Sequence, residues 1–129
     1  LESWSRGAAA ITFVDQSLRS LKLVRGNIAK CKAEADCTVV KGEALQVLGR
    51  LARGGAQFEY FFCDPPYNKG WVQKVLSSPA TLQVLSPKGL LIAEHSAHDD
   101  IDTGLPATLK VVRRERYGET MLSLIMKTL

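Results

Sequence analysis

The sequence contains no run of about eighteen apolar residues, which excludes a hydrophobic helix long enough to span a bilayer. It has three cysteines, Cys31, Cys37 and Cys63, an odd number set far from either histidine. The Cys31–Cys37 spacing is neither a CxxC pair nor half of a zinc ribbon, so reduced structural thiols are expected and a metal site is not. There is no internal repeat, low-complexity tract or linker. The opening LESWSRGAAA has no basic segment followed by an apolar core, so a secretory signal is not expected and a cytoplasmic location is. Charge of one sign is also scarce. Seventeen Lys and Arg against thirteen Asp and Glu leave a formal +4, compatible with a nucleic-acid partner without requiring one.

What is present is a globular composition, 46% apolar and 23% charged, over 129 residues. That length suits one domain (1–129) and buries a core without staples. AITFVD (Ala10–Asp15) is a β-branched and aromatic run ending in an acid, and reads as a buried parallel strand. The following stretch, 16–35, spaces Leu18, Leu21, Leu23, Val24 and Ile28 for one helix face, and Arg19, Lys22, Arg25, Lys30 and Lys32 for the polar one. CTVVKG is the next strand, and EALQVLGRLARGG a helix closed by Gly54 and Gly55. FEYFFCD (Phe58–Asp64) is a third strand, stopped where prolines remove backbone donors. Helical stretches over about 70–76 and 79–84 follow, then a turn at Pro87 and Gly89. GLLIAEH (Gly89–His95) is a fourth strand, and AHDDIDTGLPA a polar loop. The closing segment forms two strands joined at Tyr117–Thr120, an antiparallel pair. The alternation predicts an α/β fold, a mostly parallel Rossmann-like sheet with a C-terminal antiparallel hairpin.

Open α/β sheets bind ligands outside the carboxyl ends of their strands, and three groups of residues are predicted there. Asp64, Pro65, Pro66 and Tyr67 follow the third strand. An exocyclic amine on a base is a poor nucleophile, because its lone pair is delocalised into the ring. An Asp64 carboxylate and a Pro65 carbonyl can accept its two N–H groups and orient the lone pair, and two prolines keep that carbonyl out of a helix. Tyr67 can stack on the base, a contact worth about 1–3 kcal/mol. The alternative is a strand end with a Pro-Pro turn and a surface tyrosine. Asp15 ends the first strand, where an acid accepts from ribose hydroxyls in nucleoside-binding sheets or caps the next helix. Glu43 and Ala44 end the second strand, placed for an adenine amine and ring nitrogen; an acid in a first helical turn is the equal alternative for Glu43. His95 and His98 lie in an acidic run, EHSAHDDID, that reads as a solvated loop, with Glu94 as a candidate pocket wall.

Taken in order, LESWSRGAAAITFVDQS, GEALQVL, FFCDPPYNKG, GLLIAEH and RYGETMLSLI resemble the RsmD-type bacterial methyltransferases over essentially the whole chain. The resemblance implies transfer of a methyl group from S-adenosylmethionine to the N2 amine of a guanine in small-subunit (16S) ribosomal RNA. It needs no metal and no covalent enzyme intermediate, and the naked RNA or a small-subunit particle is the partner. It implies Asp64, Pro65, Pro66 and Tyr67 as the catalytic motif. The cofactor set is Asp15, Gln16, Glu43, Ala44 and Asp64, with Glu43 where the family more often has Asp. Lys69, Lys74, Arg6 and the helix-face Lys and Arg are candidates for phosphate contacts, with a plain solvated face as the alternative for each.

The family pattern also has an N-terminal β-hairpin and a strand ending in a glycine-rich DLFAGSG-like loop, and the sequence contains neither. The expected sheet therefore lacks that first strand, which in the family lies between AITFVD and FFCD. Two open strand edges are expected, unless those strands pair directly or a second chain fills the gap. This segment alone is expected to bind S-adenosylmethionine poorly and to be inactive. Two other functions remain open at the level of sequence: an adenine-N6 or cytosine-N4 methyltransferase on DNA, and a non-catalytic module binding RNA or ribosomes.

Overall fold

The computed structural model describes residues 10–15, 18–63, 71–102 and 104–128. Among them the order is β1 (Ile11–Asp15), α1 (Leu18–Lys30), β2 (Cys37–Lys41), α2 (Ala44–Arg53), β3 (Phe58–Cys63), α3 (Trp71–Ser77), α4 (Pro79–Val84), β4 (Leu85–Ser96), β5 (Leu109–Tyr117) and β6 (Thr120–Lys127). These elements fall into two compact units, 1–47 and 48–129, divided within α2.

In the first unit β1 and β2 pair in parallel, from Ile11 opposite Cys37 to Asp15 opposite Lys41. Helix α1 packs on both strands. Leu21 and Ile28 are buried on its inner face and Val24 is half-buried beside them. The expectation that Leu18 and Leu23 share that face is corrected, since they are 48% and 67% exposed. Two residues advance a helix by about 200°, which carries Leu23 to the side opposite Leu21, while Leu18 sits at the open first turn.

Helix α1 also stops earlier than the stretch to Ala35 predicts. Lys32 adopts φ 56°, donates to the Ala29 carbonyl at 3.1 Å, and is followed by Ala33 N–H to Ile28 O at 3.0 Å. That is a Schellman closure, sealed by the buried Ile28 and Ala33. Helix α2 closes the same way. Gly55, at φ 78°, donates to Ala52 O and Ala56 to Leu51 O.

The second unit is a four-stranded sheet in the order β3-β4-β6-β5. β3 and β4 are parallel, while β6 runs antiparallel to both β4 and β5. Leu91 and Ala93 of β4 and Ile125 of β6 are fully buried, and Val72, Val75, Leu76 and Val84 bring the two short helices into the same core. The Thr81 hydroxyl ties α4 to α3 by donating to Val75 O at 2.6 Å. The turn expected at Pro87 and Gly89 lies inside β4, which runs straight on from α4. Phe58 faces Leu85 and Tyr60 faces Leu90, so two residues of β3 oppose five of β4. The surplus forms an irregular bulge, where Pro87 needs no ladder hydrogen bond.

β1 and β3 belong to different sheets, so the direct pairing of AITFVD with FFCD does not form among the described residues. Among those residues, too, no helix is long and apolar enough to cross a membrane.

Candidate functional site

In the first unit, the parallel register brings the ends of β1 and β2 to one edge. Gly42 donates its N–H to the Asp15 carbonyl at 3.0 Å, one step beyond the Asp15–Lys41 pair. Asp15 stands exposed there. Glu43 follows Gly42 directly and precedes the first residue of α2, rather than sitting within its first turn. Its carboxylate accepts from Leu45 N–H at 2.9 Å and from Gln46 N–H at 3.2 Å, and its carbonyl accepts from Val47 N–H at 3.0 Å. Glu43 is thus the N-cap of α2, using two of its roughly four acceptor directions on its own helix. Ala44 is the first helical residue, where a backbone N–H has no partner within the helix.

In the second unit, β3 and β4 form the parallel pair that the D-P-P-Y segment follows in sequence. Phe61, Phe62 and Cys63 lie opposite Leu91, Ile92 and Ala93, and β4 continues through Glu94, His95 and Ser96. Glu94, the candidate pocket wall, is half-buried opposite Leu122 of β6. Asp64, Pro65, Pro66 and Tyr67 come next in the chain after Cys63, but they lie outside the described residues, as do Gln16, Arg6 and Lys69. Lys74 is exposed on α3.

His95 lies in the fourth strand, as the GLLIAEH reading expects, but it is not solvated as the acidic run EHSAHDDID suggests. It is only 4% exposed. Its Nδ1 lies 2.9 Å from Ser96 O and its Nε2 2.8 Å from the Ser123 hydroxyl. A carbonyl can only accept, so Nδ1 carries the proton and, in the neutral ring, Nε2 accepts from Ser123. The sequence held a signal for this, because Leu91, Ala93 and His95 alternate onto one face. The rest of the run is more open. Exposed His98 pairs with Glu119, and Asp99 accepts from Ser96 N–H at 3.2 Å. Among the described residues no cluster of His, Cys, Asp and Glu could hold a metal ion, and the cysteines form no disulfide.

The likeness to solved structures defines the class. A structure described as "putative methylase HI0767" from Haemophilus influenzae matches 98% of this chain and 77% of its own, with a TM-score of 0.85 at 19% identity. SMU.776, described as "a putative methyltransferase complexed with SAH", matches 92% of this chain and 39% of its own at TM-score 0.72 and 17% identity. The fold is that of the Rossmann-like methyltransferases. Residues 1–126 match the family described as Conserved hypothetical protein 95, and the chain belongs to that family, the RsmD family of methyltransferases. Among curated proteins it is 28% identical over 130 residues to "Putative rRNA methyltransferase YlbH" of Bacillus subtilis, covering 98% of this chain and 68% of that protein.

Proposed function

We propose that the protein transfers a methyl group from S-adenosylmethionine to the exocyclic N2 amine of a guanine in 16S ribosomal RNA. The observation that carries this reading is a D-P-P-Y sequence directly after a parallel strand, in a chain that belongs to the RsmD family. The curated relative's name supports RNA as the substrate, and the homocysteine form of the cofactor on SMU.776 supports the donor.

The first unit fits the nucleoside end of that donor. Ribose hydroxyls and an adenine amine are hydrogen-bond donors, and Asp15 and Glu43 supply carboxylate acceptors at one strand edge. Glu43 keeps acceptor capacity beyond its cap, and the N–H of Ala44 suits a ring nitrogen. When bound, the donor supplies an electrophilic sulfonium methyl group. The protein's part is orientation. The Asp64 carboxylate and Pro65 carbonyl would accept the two N–H groups of the target amine, Pro66 would hold that carbonyl in place, and Tyr67 would stack on the base. A base inside a helix must first be unstacked to reach such a pocket.

The test is the full-length protein carrying Asp64→Ala, assayed for radiolabelled methyl transfer to small-subunit RNA, with the modified nucleoside identified after digestion. A loss of about a hundredfold or more, with N2-methylguanosine as the wild-type product, is expected. Undiminished transfer by the variant would sink the catalytic assignment. A product methylated at another position would sink the guanine-N2 assignment.

A further inference from the structure

We propose that the outer face of α1 is a phosphate-binding stripe that grips the RNA backbone. The inference takes its polyanion from the function proposed above, but it concerns residues other than those assigned to the donor and the amine.

The first observation is where the charge resides. Helix α1 (Leu18–Lys30) contains Arg19, Lys22, Arg25 and Lys30 and no acid. Its +4 equals the formal charge of the whole chain, so the remaining cations and acids balance. The second is geometry. At about 100° per residue, Arg19, Lys22 and Lys30 fall within an arc of about 80°, and Arg25 flanks it. All four are exposed; Arg19, Lys22 and Lys30 lie opposite the buried Leu21 and Ile28, and Arg25 borders that buried face. From Arg19 to Lys30 the stripe is about 16 Å long. Among the described residues none of these four side chains has an ion-pair partner, whereas Arg113, Arg114 and Arg116 in the second unit all pair with acids.

The third observation is that helix stability does not account for the pattern. Cations favour the C-terminal end of a helix and oppose the N-terminal dipole. That explains Lys30 but works against Arg19, and the first turn has no acid to offset it. Arg19, Lys22 and Arg25 follow one another at i,i+3, where like charges repel. Gly26 lies on the same arc, and a Cβ there would meet nothing within 4 Å, so no packing constraint requires it. A bare backbone among cations leaves room for a close approach. Lys32, beyond the end, is a further exposed cation held at a φ of 56° that suits glycine better. A phosphate backbone relieves this repulsion, and each neutralised phosphate releases counterions.

The experiment compares the full-length wild type with an Arg19→Gln, Lys22→Gln, Lys30→Gln variant, by affinity for small-subunit RNA from 0.1 to 1 M salt. Glutamine keeps a comparable helix propensity, and circular dichroism checks that the fold is retained. A control variant replaces Lys88, Lys110 and Lys127 with Gln. With a slope of about −0.7 per phosphate on single strands, the stripe variant should lose about two units of slope. It should bind about a hundredfold more weakly at 0.1 M salt, converging with wild type near 1 M. The control should stay near wild type.

An unchanged slope in the stripe variant, or an equal loss in the control, overturns the proposal. If wild type still methylates RNA in either case, the proposed function stands without the stripe. If wild type binds no RNA, both fall. Loss of binding to the small-subunit particle with unchanged binding to naked RNA would make the partner a protein, and would also overturn the assignment.

Discussion

The Ser123 hydroxyl donates to His95 Nε2 across 2.8 Å inside the second unit, where both residues are almost wholly buried. The bond ties β6 to the carboxyl end of β4, and the other ring nitrogen is held by the Ser96 carbonyl. Ser123→Ala leaves a buried acceptor without its donor, and should lower stability by about 1–3 kcal/mol. His95→Phe with Ser123→Ala should cost less than the two single changes added together, since neither polar group is then stranded. Urea titration of the four proteins completes the cycle, and strict additivity would show that the bond is not energetically coupled.

Two glycines should respond to alanine in opposite directions. At Gly89 a Cβ would stand 3.0 Å from both Phe58 O and Ser86 O and 2.8 Å from Leu85 Cδ1. The two carbonyls belong to the bulged backbone and cannot rotate away, so Gly89→Ala should destabilise by about 1–3 kcal/mol. At Gly26 the added methyl meets nothing, and Gly26→Ala should stabilise by about 0.5–1 kcal/mol. Thermal melts of the two variants test the pair together. Equal shifts of the same sign would contradict the geometry of the bulge.

Lys32 and Gly55 occupy the same position in two Schellman closures, at φ 56° and 78°. Only glycine takes that conformation without a Cβ clash, so Lys32→Gly should raise stability by about 1 kcal/mol. Gly55→Ala should lower it by a similar amount, although nothing crowds the position. A destabilised Lys32→Gly protein would mean that the lysine side chain contributes more than its backbone conformation costs.

At the hairpin, Tyr117 donates to Glu115 Oε2 at 2.6 Å, and Arg113 pairs with the same carboxylate. The tyrosine hydrogen bond first, then the arginine charge, lowers the Glu115 pKa from its ordinary 4.5. The same bond raises that of Tyr117 from 10.0. A lowered carboxyl pKa contributes stability above the unfolded value and loses it as pH falls through the folded one. A raised phenol pKa contributes stability below its unfolded value and loses it as pH rises through the folded one. The contact therefore acts in the window between the two ordinary values, and fades outside it on both sides. Tyr117→Phe should move the Glu115 titration, followed by carbon NMR, up toward the ordinary carboxyl range. No movement would leave Arg113 as its sole cause.

Much of this fold was legible because its elements announce themselves locally. Phe58–Cys63 ends where the prolines begin, Gly55 marks the close of α2, and the β-branched run of β2 is short enough to be only a strand. Glu43 and Asp15 were readable as strand-end acids for the same reason. The capping bonds of Glu43 were not, because its sequence position fits a cap, a first-turn acid or a ligand contact equally well. The place of His95 in the fourth strand was legible, but its burial was not, because the neighbouring acids outweigh the alternation that puts it in the core. The continuation of β4 back to Leu85 was missed because proline and glycine signal a turn, whereas here they fill a bulge beside β3.

The sequence by itself determined the alternating α/β class, the family, the position of the D-P-P-Y segment after a strand, and the concentration of net charge in α1. Each depends on composition and spacing along the chain, which folding does not alter. Only the tertiary structure decided that β6 lies between β4 and β5, that His95 is buried against Ser123, and that the four cations of α1 have no ion-pair partner among the described residues. Those outcomes depend on which strands claim one another's backbone hydrogen bonds and which side chains are withdrawn from water, and both are settled between residues far apart in sequence.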